Sequence, residues 1–296
     1  MNIKAIILFI ISLLLIAVPV LGQDTPLRVI AYMSVQGRNY DIFAVDLSIG
    51  TPVQLTDTES NELFPSWSPD GTQIAYMSDA NGSYDIWVMN ADGSEPQPLT
   101  NTPNADEWYP VWSPDGTRIA YHSDLTGDNE IYVMNADGTN SINLTQDGAD
   151  DQNPVWSPDG TQIAFVSNRA ESNNLEIWAM AADGSNPIRL TDNVSDDANP
   201  AWSPDGARIA FASQRDGQSE IYIMNADGTG TERLTNNTDE DVYPSWSPDG
   251  ELIAFQSDRS GNYDIYVTNS DGSGSEQRVT DNNEDDWGPV WMPQGT

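Results

Sequence analysis

Six tryptophans, Trp67, Trp112, Trp156, Trp202, Trp246 and Trp291, recur at spacings of 45, 44, 46, 44 and 45 residues, and this period limits the possible architectures more than any other feature of the chain. Each stands two residues after a proline: Pro65, Pro110, Pro154, Pro200, Pro244 and Pro289. In five of the six units the tryptophan opens Trp-Ser-Pro-Asp-Gly, and the sixth reads Trp291-Met292-Pro293-Gln294-Gly295. A β-rich run follows, such as Ile74-Ala75-Tyr76 or Ile253-Ala254-Phe255. A second comes next, such as Asp85-Ile86-Trp87-Val88-Met89, then Ala-Asp-Gly and a closing Leu-Thr, as at Leu99-Thr100. Short apolar runs separated by Asp-Gly turns read as hairpin-linked strands. There are four per unit: A (Pro-x-Trp), B (Ile-Ala-Phe), C (Ile-Tyr-Val-Met) and D (Leu-Thr). Helical repeats of similar period need amphipathic stretches of about ten residues free of Gly and Pro, and none occurs after residue 22.

Four strands in about 45 residues make one blade of a radial β architecture. Residues 29 to 56 contain the B, C and D runs (Ile30-Ala31-Tyr32, Asp41-Ile42-Phe43, Leu55-Thr56) without a preceding Pro-x-Trp strand, and the C-terminus ends on just that strand, Pro289-Val290-Trp291. The expected fold is therefore all-β: a six-bladed β-propeller of four-stranded antiparallel blades, closed by pairing of the C-terminal strand into the N-terminal blade. Closure removes the open edges that an unclosed sheet would present.

At the N-terminus, Lys4 precedes an apolar run from Ala5 to Leu21, broken only by Ser12 and Pro19, and Gly22 follows. This is the pattern of a secretory signal and is slightly short for a spanning helix. Residues 1–22 are read as a signal peptide cleaved near Val20-Leu21-Gly22, with retention as an anchor the alternative, and 23–296 as the propeller. The chain has no cysteine, so neither disulfides nor lipid attachment enter. Its 46 acidic residues face 11 basic ones. Phosphate neutralisation needs Lys and Arg, so no nucleic-acid partner is expected. An acidic surface favours cations, basic partner patches or plain solubility.

The unit resembles the WD-repeat-like propeller repeat of the TolB family, in its Pro-x-Trp-Ser-Pro-Asp-Gly, Ile-Ala-Phe, Ile-Tyr-Val-Met and Leu-Thr elements, over residues 27 to 296. The resemblance extends to the propeller half of TolB and not to its separate N-terminal α/β domain. It implies that strand A is innermost. TolB's propeller docks the peptidoglycan-associated lipoprotein, so the resemblance also implies an exported scaffold, periplasmic or secreted, that binds a protein or peptide and has no catalytic activity. A monomer without membrane insertion after signal cleavage is expected.

Up-and-down meandering places the D-to-A and B-to-C connections on one face, here called the top. The A-to-B and C-to-D turns form the bottom, and their Ser-Pro-Asp-Gly and Asn-Ala-Asp-Gly composition is explained by turn geometry alone. On the top, an acidic residue stands three positions before each strand A proline: Glu62, Glu107, Asp151, Asp197, Asp241 and Asp286. With strand A innermost, these six are expected to ring the channel mouth. Like charges so placed need an offset, and hard cations take oxygen ligands in variable number. No cofactor is required, but Ca²⁺ held by the six is one reading; strand-end capping is the other. Beside them stand Asn61, Asp106, Asp150, Asp196, Glu240 and Asp285. Phe64, Trp108, Tyr109, Tyr243 and Trp287 flank the ring, and form either a contact surface or packing between blades. Together the six acids and five aromatics are the expected partner-binding site.

A second acidic series, Asp41, Asp85, Glu130, Glu176, Glu220 and Asp264, precedes strand C and is expected to pair with Arg169, Arg215 and Arg259. The single histidine, His122, falls within strand B and is expected to pack there. With no cysteine and one histidine, Cys-His chemistry and multi-histidine zinc sites are excluded. The alternative function is a carbohydrate-active or hydrolytic enzyme using two top-face carboxylates.

Overall fold

The computed structural model describes residues 28–170 and 174–294; the stretch read as a signal peptide lies outside the described residues. Six four-stranded antiparallel sheets are present, each in the order A-B-C-D. The second blade shows the plan: Glu62–Trp67, Gln73–Ser78, Asp85–Asn90 and the two-residue Gln97–Pro98. The inner strands of the third to sixth blades are Glu107–Trp112, Asp151–Trp156, Asp197–Trp202 and Asp241–Trp246. Adjacent inner strands pack on one another around the axis, so strand A is innermost.

The first blade is assembled from both ends of the described chain. Val29–Gln36, Asn39–Asp46 and Val53–Gln54 receive Asp286–Trp291 as their inner strand. The pairing sets Ile30 opposite Trp291 and Ser34 opposite Asp286, and Met292 N–H donates to the Val29 carbonyl at 2.9 Å.

The apolar core lies between blades, because every sheet buries both faces against neighbours. Val166, Ile177 and Ala179 of the fourth blade pack against Trp202, Phe211 and Met224 of the fifth. The strand B isoleucines Ile30, Ile74, Ile119, Ile163, Ile209 and Ile253 are fully buried; each such side chain stabilises by roughly 2 kcal/mol relative to exposure.

Blade spacing is set at the C-to-D turn. A Cβ built on Gly138 would stand 2.5 Å from the Leu99 carbonyl oxygen of the preceding blade, and the same approach recurs at Gly93, Gly184 and Gly228. The backbone there also needs a positive φ, 82° at Gly138. Gly148, in a top loop, has a similar φ of 77° but open space around it. Gly148→Ala is therefore expected to cost about 1 kcal/mol from backbone strain alone, and Gly138→Ala at least twice that. Urea melts of both variants check this, and equal losses would show that blade contact at the turn is not limiting.

Candidate functional site

The proline of each repeat decides what faces the axis. In the second blade, strand pairing runs Leu63 with Met77 and then Ser66 with Ala75, so Phe64 and Pro65 together oppose one residue. The shift recurs in all six blades. Proline has no N–H to give a ladder, and a bulge is where it fits. The residue before it takes the left-handed conformation: Phe64 (φ 50°), Tyr109 (54°), Asn153 (52°), Asn199 (53°), Tyr243 (55°) and Gly288 (58°). For the five with side chains this costs on the order of 1 kcal/mol each.

The bulge brings side chains from opposite blades together. Tyr109 of the third blade and Tyr243 of the sixth meet hydroxyl to hydroxyl at 2.6 Å, and Phe64 stacks 3.8 Å from Tyr109. These three aromatics close the axis near the top. Burial drives the Tyr109 phenol well above its ordinary pKa, with Tyr243 adding to the shift. His122 stacks on Tyr109 and meets Trp108 edge-on, and its Nδ1 accepts the Asn153 N–H at 3.4 Å. Burial lowers its pKa to about 3, so it is a neutral packing group, as its place in strand B suggested. Gln256 does the same for the bulge of the first blade, its Oε1 accepting from Gly288 N–H at 3.0 Å.

The six strand A carboxylates do not line an open mouth. All are buried, Glu62 and Glu107 at 2 % exposure and Asp151, Asp197, Asp241 and Asp286 at 0 %. Each begins its inner strand at the interface with the preceding blade, and the N–H groups of Glu107, Asp151, Asp197, Asp241 and Asp286 donate to that blade's backbone; Asp197, for example, donates to Leu175 at 2.9 Å. Across the interface sits the strand C carboxylate of the preceding blade, also buried. Six interblade carboxyl pairs result: Asp41 with Glu62, Asp85 with Glu107, Glu130 with Asp151, Glu176 with Asp197, Glu220 with Asp241, and Asp264 with Asp286. The expected single coordination sphere is absent: among the described residues no three His, Cys, Asp or Glu side chains converge on a common metal position.

A strand D threonine tends each pair. Thr191 donates to Glu176 at 2.5 Å and its oxygen accepts the Ile177 N–H at 2.9 Å; Thr235 repeats this at Glu220 and Ile221. The arginines divide differently from expectation. Arg169, Arg215 and Arg259 bond the strand A acids Asp151, Asp197 and Asp241 at 2.6 to 2.9 Å, because their loop folds back over its own blade. The strand C acids Glu176, Glu220 and Asp264 are instead met by Arg189, Arg233 and Arg278 from strand D. Six of the ten arginines are spent here.

The blades therefore fall into two halves. In the fourth to sixth, strand B carries Phe165, Phe211 or Phe255 with an arginine over its ring, 4.9 to 5.5 Å from the centroid. In the first to third, Tyr32, Tyr76 and Tyr121 hold that position. The second and third blades have Ala80 and Leu125 where the arginines would stand.

The polar residues next to the strand A acids are staples rather than free ligands. Asp106 accepts the Tyr84 N–H at 2.8 Å from one blade, and its own N–H donates to Asp124 of the next at 2.9 Å; Asn61 repeats this between Tyr40 and Asp79. Trp108 and Trp287 sit one residue before the bulge and turn away from the axis. Trp287 packs between Tyr40 and Tyr263, 5.7 and 5.5 Å away. Leu63, Tyr84 and Trp108 continue the apolar packing around the second and third blades. The half-buried Tyr263, Trp287, Tyr40, Tyr84 and Trp108 thus form an arc on the top face from the sixth blade to the third. In the other blades the tryptophan position holds Leu63, Gln152, Ala198 or Val242, and the tyrosine position Asn129, Leu175 or Ser219. Tyr40, Tyr84 and Tyr263 were missed in the sequence because they stand outside the repeat signature, directly before the strand C acid.

On the bottom face, Ser113 and Thr117 donate to Asp115 at 2.6 and 2.8 Å, the Ser113 bond chiefly holding that carboxyl down at about 2. Turn geometry accounts for these residues.

A ring of six four-stranded blades, closed by its C-terminal strand and with an aromatic plug on its axis and carboxyl pairs between its blades, defines a six-bladed β-propeller. The chain belongs to the TolB beta propeller domain family, whose model matches residues 104–200 and 195–296. TolB from Acinetobacter baumannii superposes with a TM-score of 0.80 at 23 % identity, over 96 % of this chain and 70 % of that one. A putative TolB from Agrobacterium tumefaciens gives 0.71 at 23 % identity, covering 92 % of each chain. The protein Atu1656 of Agrobacterium fabrum is 31 % identical over 75 residues, 25 % of this chain; the match spans about a quarter of that relative's length (26 %). An oligogalacturonate lyase in complex with manganese shares the fold at a TM-score of 0.61 and 17 % identity, so the fold alone decides nothing about catalysis.

Without an arginine, Glu62 shows the cost of burial: desolvation pushes its carboxyl up to about 7, against the hydrogen bonds from Thr58 and Ser78. A carboxyl raised from its ordinary 4.5 holds its proton more tightly folded than unfolded. Its contribution to stability is full below about pH 4.5 and is lost as pH rises through 7. In the presence of chelator, Glu62→Gln is expected to be more stable than wild type at pH 8, on the order of 1–2 kcal/mol after allowing for screening, and to lose that advantage by pH 5. Denaturant melts across this range check it; a difference independent of pH would mean Glu62 is ionised throughout.

Proposed function

We propose that this protein is an exported, non-catalytic scaffold that binds a protein or peptide of the cell envelope on its top face. The contact surface is the aromatic arc of Tyr263, Trp287, Tyr40, Tyr84 and Trp108. Phe64, Tyr109 and Tyr243 act beneath it as a rigid plug and not as contact residues.

The observation that carries this reading is asymmetry. Six near-identical repeats place five aromatic side chains at two top positions across the four neighbouring blades from the sixth to the third, and none in the fourth and fifth, which hold Gln152, Leu175, Ala198 and Ser219 there. Packing alone does not require that division, because the fourth and fifth blades are built without it. Aromatic side chains supply most binding energy at interfaces, through buried area at low entropy cost. The loops around the arc carry Asp57, Glu59, Asp128, Asp281 and Glu284, all exposed, so the complementary segment is apolar and basic. The same acids would steer it in with a rate that falls as salt rises. The leader-like pattern of residues 1–22 supports a meeting outside the cytoplasm.

Replacing Tyr84 and Tyr263 together by serine is expected to weaken retention of an envelope-fraction partner at least tenfold. Gln214→Ala with Gln218→Ala, on the opposite arc, should leave it unchanged. Surface plasmon resonance with the captured partner reads both; equal affinities for the two variants would remove the arc from the interface. A photo-crosslinker at Tyr40 marking the partner, and one at Gln218 not doing so, gives the same answer by position.

A further inference from the structure

We propose that the two arginine-free blade interfaces are sites for a hard divalent cation, one held by Asp41 and Glu62 between the first and second blades, the other by Asp85 and Glu107 between the second and third.

The repeats supply the internal comparison. Where Glu176 meets Asp197, two carboxylates are met by Arg189 and Arg215. Where Glu220 meets Asp241, two are met by Arg233 and Arg259. Both interfaces balance two negative charges with two positive ones, and none of these four carboxylates has a buried oxygen lacking a partner. The equivalent interfaces at Asp41–Glu62 and Asp85–Glu107 have the same two carboxyls and no guanidinium. Glu62 Oε2 and Asp85 Oδ2 are there buried with no hydrogen-bond partner, in residues 2 % and 0 % exposed. A buried charge without a partner is costly. The two seams with a pair of arginines leave no carboxylate oxygen unpartnered, whereas the seams with one arginine, Glu130–Asp151 and Asp264–Asp286, still leave buried oxygens of Glu130, Asp151 and Asp286 without a partner, so a double positive charge is what this position accommodates.

The ligand set is all oxygen, which suits a hard cation that completes its shell with water. Two carboxylates come from adjacent blades. Around the first pair stand Thr56, donating to Asp41 at 3.1 Å, and Thr58 and Ser78, donating to Glu62 at 2.8 and 3.2 Å. Around the second, Thr100 donates to Glu107 at 2.8 Å, and the Thr102 N–H donates to Asp85 at 3.1 Å. A hydroxyl can rotate its lone pairs toward an ion. With two carboxylates each, these sites are distinct from a single ring of six. Burial excludes a partner's lysine or arginine as the neutralising group, since such a side chain could not enter without parting the blades. The inference is independent of the partner reading above, which uses other residues.

The test uses the whole protein, stripped with chelator, at about pH 8 and about 0.15 M NaCl to screen the acidic surface, with calcium chloride as probe. Titration calorimetry is expected to show two sites, and the melting temperature to rise by a few degrees. Ala80→Arg with Leu125→Arg restores guanidiniums at the positions matching Arg169, Arg215 and Arg259. This variant should melt higher in chelator and gain nothing from calcium. Glu59→Gln with Glu95→Gln makes the same change in net charge at exposed positions and should keep the calcium response. If the arginine variant does not fold, Glu62→Gln with Glu107→Gln serves: higher melting in chelator and no calcium response. Absence of calorimetric binding, a calcium shift that persists in these variants, or stability that follows pH and ignores calcium would each overturn the proposal, the last leaving a proton as the neutralising charge.

Discussion

A ring of wedge-shaped sheets exists only if its two ends meet, and here they meet through hydrogen bonds between Val29–Gln36 and Asp286–Trp291. The first blade has no inner strand until the last residues of the domain arrive, so its core waits on the longest loop closure in the chain. Contacts of such separation make folding slow. Once closed, each blade buries both faces and the ring has no unpaired inner edge. The axis contacts all presuppose this closure, because Tyr109 and Tyr243 lie on opposite blades and touch only when every blade between them is in place.

Burying carboxyls between blades is the second constraint. Each blade-to-blade seam brings together the first residue of one inner strand and a residue at or near the start of the neighbouring strand C, and both are acidic in every repeat. Four seams contain arginine and two do not. The three arginines that reach the strand A acids, Arg169, Arg215 and Arg259, each lie over a strand B phenylalanine, and the first to third blades have a tyrosine at that strand B position. The sixfold symmetry of the backbone therefore carries a twofold division of chemistry, and the aromatic arc of the top face lies mostly over the half without guanidiniums.

The architecture was legible because period, strand patterning and turn residues agreed in every unit. Even the closure could be read, since one strand was missing at the head and present at the tail. The site was legible only in part. Glu62 and its equivalents were correctly placed at the start of strand A, but which way a carboxylate leans from the first residue of a strand depends on what the neighbouring blade presents, and no spacing encodes that. The pairing of Arg215 with Asp197 instead of Glu220 has the same origin: both acids are within a loop's reach in sequence, and the fold of the loop chooses between them. The proline of Pro-x-Trp marked the strand, yet its main effect, the bulge that turns Phe64, Tyr109 and Tyr243 inward, concerns the residue before it and emerges only from the ladder register.

The joint in the first blade also fixes a direction. Ile30 and Trp291 are paired at the lower rim, with Met292 N–H bonded to the Val29 carbonyl. The first and last described strands therefore begin and end on the same rim, opposite the loops that carry Tyr40, Tyr84 and Tyr263. A tether attached at that rim would hold the propeller like a lamp on a single cord, its lit side on the face opposite the point of attachment.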